Sequence, residues 1–133
     1  MGSEKRVLIV DDEHNIADTL KTIFSNAGYS AQAAYSAEQA LPLIAEWNPQ
    51  LVIVDVRLPG MNGVDLAMKM KAEFPLSSTL LFTGDGSVAE LVELARRKGH
   101  NFELLAKPVP PGELLTLAAD FFPSPKAIVP GNA

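Results

Sequence analysis

The chain has 133 residues, enough for one domain with a buried core and little room for a second. It has no cysteine, which excludes disulfides, thiolate metal sites and thiol catalysis. Its formal net charge is −5, which argues against a nucleic-acid binder, and the single dense basic run, Arg96-Arg97-Lys98, reads as cations complementing the end of a helix.

Met1 to Ser3 is given no weight, and the apolar stretch from Val7 to Val10 is too short for a signal peptide or a membrane span. Arg6–Val10 is instead an apolar, β-branched run that reads as a buried strand ending at Asp11-Asp12. Ile16, Leu20, Ile23, Phe24 and Ala27 then recur at helical spacing, predicting a helix over 13–27 with Gly28 as its stop. A weaker second strand covers 29–34. Ser36 and Gln39 match a capping box, opening a helix with Ala40, Leu41, Ile44 and Ala45 as its apolar stripe, Trp47 at the rim of the core and Asn48-Pro49 as its end.

Leu51–Val54 is a fully apolar third strand that runs into Asp55, and the loop Arg57-Leu-Pro-Gly-Met-Asn-Gly63 is dense in turn residues. A third helix is predicted over 64–74, with Ala67, Met68 and Met70 available to the core and Pro75 behind it. Thr79–Phe82 is a fourth strand ending at Thr83-Gly84. Ser87 caps a helix carrying Val88, Leu91, Val92 and Ala95 up to Gly99. Phe102–Ala106 is a fifth strand ending at Lys107-Pro108, and a last helix covers 113–122 with Leu114, Leu117, Ala118 and Phe121 on one face. One domain is thus expected over 5–122, followed by a flexible proline-bearing tail over 123–133. Five apolar strands alternating with five helices predict an α/β, doubly wound parallel sheet covered on both faces.

In such a sheet the site lies at the carboxyl ends of the strands. Four strands here end in a residue with chemistry: Asp11-Asp12, Asp55, Thr83 and Lys107. Each has an ordinary reading when taken alone, as a turn residue, a helix N-cap or a solvated lysine. Jointly they would gather three carboxylates, a hydroxyl and an ammonium at one edge. Crowded carboxylates repel, and a hard divalent cation relieves them. With no cysteine or histidine nearby, Mg²⁺ suits the set better than zinc. A carboxylate can also act as nucleophile toward a phosphoryl group, with Lys107, Thr83 and the backbone N–H groups of Val56 and Gly84 as donors to its oxygens.

The segments Val7–Glu13, Leu51–Gly63, Leu81–Gly84 and Leu105–Pro108 resemble the receiver domain of bacterial two-component response regulators, over nearly the whole chain. The resemblance implies a flavodoxin-like sheet of order 2-1-3-4-5, a stand-alone signalling switch rather than an enzyme, and a cytoplasmic location. It implies phosphorylation of Asp55, Mg²⁺ held by Asp12, Asp55 and the backbone carbonyl of Arg57 with Asp11 reaching it through water, and Thr83 and Lys107 as phosphoryl partners. The Lys107-Pro108 bond would be cis. The donor would be a histidine kinase or histidine phosphotransfer protein. Output would pass through a downstream protein partner, with no direct nucleic-acid or membrane contact, and the face of the fourth helix, fifth strand and fifth helix is a candidate for homodimerisation. The Thr83–Gly86 loop and the fourth helix are expected to move.

Two departures from the family pattern stand out. Leu104 occupies the place of an aromatic, with Phe102 nearby, and the Gly99–Lys107 stretch is a residue longer than the usual pattern; Val109 also replaces a frequent Phe. Arg57 and Asp85 are candidates for an ion pair that slows dephosphorylation, set against two independently solvated side chains. His14 and His100 read as surface residues. Two rival functions remain: a phosphorylation-independent scaffold, and an Asp-nucleophile phosphohydrolase, against which Arg57 stands where such enzymes place a general acid.

Overall fold

A computed structural model describes residues 4–84, 89–99, 103–106 and 110–122. Its elements are β1 (Arg6–Val10), α1 (His14–Asn26), β2 (Ser30–Ala34), α2 (Ala37–Trp47), β3 (Leu51–Asp55), α3 (Gly63–Glu73), β4 (Ser78–Thr83), α4 (Ala89–Arg97), β5 (Glu103–Ala106) and α5 (Pro111–Ala119). All four strand pairings are parallel and the order is β2-β1-β3-β4-β5.

The sheet divides the core into two layers because side chains alternate along each strand. Val7 and Ile9 of β1, Leu51 and Ile53 of β3, and Leu80 and Phe82 of β4 pack with Ala17, Leu20 and Phe24 of α1 and Leu114 and Ala118 of α5. The intervening Leu8, Val10, Val52, Val54 and Leu81 face Ala37, Ala40 and Ile44 of α2, Leu66, Ala67 and Met70 of α3, and Ala95 of α4. Two-sided cover explains why these strands read as unbroken apolar runs.

The helix boundaries differ from the sequence expectation where local chemistry intervenes. α1 starts at His14 and ends at Asn26, leaving Ala27 exposed as its C-cap, while Ala17 takes a core position. In α2, Ser36 Oγ accepts from Gln39 N at 3.0 Å, as a capping box requires. The return bond goes one residue earlier, from Tyr35 N to Gln39 Oε1. Ala45 is exposed and Ala37 buried, so the apolar stripe is centred on positions 37, 40 and 44. The helix continues through Pro42 and ends at Asn48, whose φ of 55° is the left-handed cap geometry that asparagine tolerates. α3 begins at Gly63 because Asn62 caps it, Oδ1 accepting from Asp65 N. α5 starts at Pro111, where a missing N–H costs nothing, and stops at Ala119. Trp47 packs at the rim of the core, as expected. Ser87, Val88, His100, Phe102, Lys107, Pro108, Val109 and the 123–133 tail lie outside the described residues. No helix among the described residues is long and apolar enough to cross a membrane.

Candidate functional site

Register puts the polar strand ends side by side. Val10 pairs with Val54 and Asp55 with Phe82, so Asp11, Asp55 and Thr83 leave adjacent strands at the same edge. Thr83 pairs with Ala106, the last residue before Lys107. Lys107 itself, like Asp85, lies outside the described residues, so neither its place at the edge nor the Arg57–Asp85 pair is described.

Three polar side chains are buried among the described residues, and they are Asp11, Asp55 and Thr83, at 2%, 6% and 7% exposure. Burying a carboxylate is costly without compensating donors or cations. Here each buried aspartate folds back onto its own chain: Asp11 Oδ1 accepts from Glu13 N at 3.0 Å, and Asp55 Oδ1 from Arg57 N at 3.1 Å. Asp11 is fixed further by its N–H, which donates to Ala34 O at 3.1 Å. Asp12 is exposed, yet one oxygen from each of Asp11, Asp12 and Asp55 lies within 4.8 Å of the others. The sequence expectation of a carboxylate trio is therefore met in space.

One expected donor is already spent. Val56 N donates to Phe82 O at 2.9 Å, so its N–H belongs to the sheet, and the amide at the Asp55 carboxylate is that of Arg57. The loop beyond is tight. Leu58 N and Gly63 N both donate to Val56 O, and a Cβ on Gly63 would lie 2.8 Å from Val56 Cα and closer still to the Asp55 carbonyl oxygen. Only glycine lets α3 start this close to Asp55.

The comparisons fall on the same residues. The model of the family described as response regulator receiver domain matches residues 7–119. The chain belongs to that family. Among curated proteins, the receiver domain is 34% identical over 114 residues to Regulatory protein AtoC of Escherichia coli (strain K12), covering 86% of this chain and 24% of that one. It thus spans about a quarter of that relative's length. Among solved structures, it is similar to a CheY-like response regulator receiver domain protein from Methanospirillum hungatei JF-1 (TM-score 0.78, 31% identity, 89% of this chain and 93% of that one). It is also similar to the signal receiver domain of an HD domain-containing protein from Pseudomonas fluorescens Pf-5 (TM-score 0.79, 32% identity, with the same coverage of 89% and 93%). The flavodoxin-like order read from the motifs is the order observed.

Several features around the site of the receiver domain carry little sequence signal. His14 is exposed, as expected, but its ring stacks on Tyr35 at 3.7 Å between centroids, and the Tyr35 hydroxyl donates to Asp18 Oδ1 at 2.7 Å. That hydrogen bond raises the Tyr35 phenol above its ordinary range, with smaller contributions from burial and from the Asp18 charge. Glu38 of α2 reaches the loop after Asp55, its Oε2 accepting from Met61 N at 3.1 Å. None of these contacts has a fixed spacing along the chain.

Proposed function

We propose that this chain is a phosphorylation-dependent switch in which Asp55 accepts a phosphoryl group from the phosphohistidine of a histidine kinase or histidine phosphotransfer protein. Membership of the receiver family implies two-component signalling by phosphorylation. The observation that carries the finer reading is the burial of Asp11, Asp55 and Thr83, and of no other polar side chain among the described residues, at one end of the sheet. A fold pays for buried polar groups chiefly where they are used.

The donor set fits Mg²⁺, since it is made of carboxylates with one exposed member and no nitrogen or sulfur ligand in the trio. Asp12, Asp55 and the Arg57 carbonyl would hold the ion, with Asp11 acting through water. Bound there, Mg²⁺ offsets negative charge on the entering phosphoryl group. The chain's own part is to present a fixed nucleophile. The Arg57 amide orients Asp55 Oδ1. An Asp55 oxygen forms the new bond to phosphorus as the phosphorus–nitrogen bond of the donor breaks, and the imidazole leaves with the bonding pair and takes up a proton. The Thr83 hydroxyl and the Lys107 ammonium donate to the phosphoryl oxygens.

Asp55 is loaded once and regenerated slowly by water, so the chain acts as an acceptor rather than a turnover catalyst. The unit that does so is the domain over 5–122, working in the cytoplasm. Output passes to a protein partner or a second copy through α4, β5 and α5. Leu94 and Leu104, exposed at 49% and 37%, support an apolar contact on that side. Leu104 also stands where an aromatic would couple to Thr83, so switching here proceeds without an aromatic at that position.

Intact-protein mass after treatment with acetyl phosphate and Mg²⁺ tests the reading. The chain is expected to gain one phosphoryl mass and the Asp55→Asn variant none. A chain that gains no mass while folded would favour the phosphorylation-independent scaffold.

A further inference from the structure

The loop from Val56 to Asn62 leaves the acceptor strand and enters α3, and both its ends are anchored. Its start is tied by the Arg57 N bond to Asp55 Oδ1 and the Leu58 N bond to Val56 O at 3.2 Å, with the Leu58 side chain buried. Its end is tied by Gly63 N to Val56 O at 2.9 Å. The tip, Gly60-Met61, is held from a different element. Glu38 Oε2 accepts the Met61 N–H at 3.1 Å, and the same oxygen lies 2.9 Å from where a Cβ on Gly60 would stand. Gly60 has a φ of 72°, so its lack of a side chain serves both the turn and the approach of the carboxylate.

Glu38 is itself well founded. It sits in the first turn of α2, between the buried Ala37 and Ala40. Ser36 Oγ accepts the Gln39 N–H, and Gln39 Oε1 accepts the Tyr35 N–H at 2.8 Å. The carboxylate therefore bridges a fixed helix start to a loop that shares no strand pairing with it.

We infer that Glu38 is a positioning residue for the acceptor site: its carboxylate latches the Gly60-Met61 tip and so fixes the path of the loop that carries the Arg57 amide and carbonyl. The inference rests on the proposed role of that carbonyl in holding Mg²⁺. Glu38 is exposed, so the latch adds little to global stability. Its effect is on where a short loop sits relative to Asp55, and it lies outside the carboxylate trio.

Two variants and two readouts test the latch. In Glu38→Ala the acceptor is gone, while in Glu38→Gln an amide oxygen remains to take the Met61 N–H. Hydrogen exchange read by NMR is expected to quicken severalfold at the Met61 and Arg57 amides of Glu38→Ala and to stay unchanged at Ile53. Mg²⁺ titration of the unphosphorylated protein is expected to show affinity weakened roughly two- to fivefold in Glu38→Ala, the size of a screened hydrogen bond to a charged group. Glu38→Gln should stay within about twofold of the unmodified chain. Unchanged exchange at Arg57, or unchanged Mg²⁺ affinity, in Glu38→Ala overturns the inference. A Glu38→Gln variant that falls as far as Glu38→Ala also overturns it, because the effect would then be one of charge. If the unmodified chain takes up no Mg²⁺, the functional reading fails, and exchange at Arg57 still decides whether the latch governs the loop.

Discussion

Gly63 and Gly112 both lie in the first turn of a helix, and the same substitution at each should move stability in opposite directions. An alanine Cβ at Gly63 would stand 2.8 Å from Val56 Cα and 2.9 Å from the Asp55 carbonyl carbon. Ordinary contact begins near 3.4 Å, so at least about 0.6 Å must be found, and more at the Asp55 carbonyl oxygen. The opposing atoms are backbone of Asp55, which ends β3 and pairs with Phe82 of β4, and of Val56, whose N–H donates to Phe82 O, so they have little room to move. α3 must yield instead, lifting Val64, Leu66, Ala67 and Met70 from the core. Overpacking of this kind costs about 3 kcal/mol, offset by about 1 kcal/mol for alanine over glycine in a helix. The net loss is about 2 kcal/mol. With a urea slope of about 2 kcal/mol per molar, the unfolding midpoint should fall by about 1 M. At Gly112 nothing lies within 4 Å of the added Cβ, so Gly112→Ala should gain about 0.5–1 kcal/mol and raise the midpoint by about 0.3–0.5 M. A Gly63→Ala variant as stable as the unmodified chain, or two midpoints that move the same way, would refute the packing argument.

Absorbance titration should find both tyrosines ionising above the ordinary phenol value of about 10, Tyr29 through burial and Tyr35 chiefly through its bond to Asp18. Asp18→Ala should bring one of the two down, and two unmoved midpoints would count against that bond as the cause. The folded chain holds the Tyr35 proton more tightly than the unfolded one. This contribution is therefore whole below about pH 10 and is lost as pH rises through the folded-state value, a slope that Tyr35→Phe should flatten. Amide exchange should be slowest in β3, whose five residues are all buried, and at least about tenfold faster in α4, where Ala95 is the one buried side chain among those described. Equal protection of α4 and β3 would contradict that ordering.

The sheet was legible because its strands are covered on both faces: no polar residue interrupts Val7–Val10 or Leu51–Val54, and the first polar residue after each is a member of the acidic trio. Helix ends were less legible. Asn62 competes with the loop for the start of α3, and Pro111 opens α5 two residues before the expected Glu113, because the first turn tolerates proline. Ala45 was misplaced because a helical stripe is wide and a single alanine carries little hydrophobic weight beside Ile44. The carboxylate trio could be read because strand topology brings strand ends together whatever lies between them. The Glu38 latch and the His14–Tyr35 stack could not, because each depends on loop paths that register does not specify, whereas the Val56 amide continues the β3–β4 ladder past Asp55 and Phe82.

The division between what is fixed and what can shift follows from the same layout. Asp55 ends a central strand buried on both faces, with Gly63 packed against its backbone, its own carboxylate tied to Arg57 and the loop tip tied to Glu38. Moving it would disturb β1, β4, α2 and α3 together, so Asp55 is held in place. Thr83 also ends a buried strand, but on its far side lies β5 and next along the chain comes α4, whose described side chains are mostly exposed. On the proposed reading, charge arriving on Asp55 would be relieved toward α4 and β5, where Ala95 is the one buried side chain among those described in α4. On that reading the displaced side would be the one where Leu94 and Leu104 reach solvent.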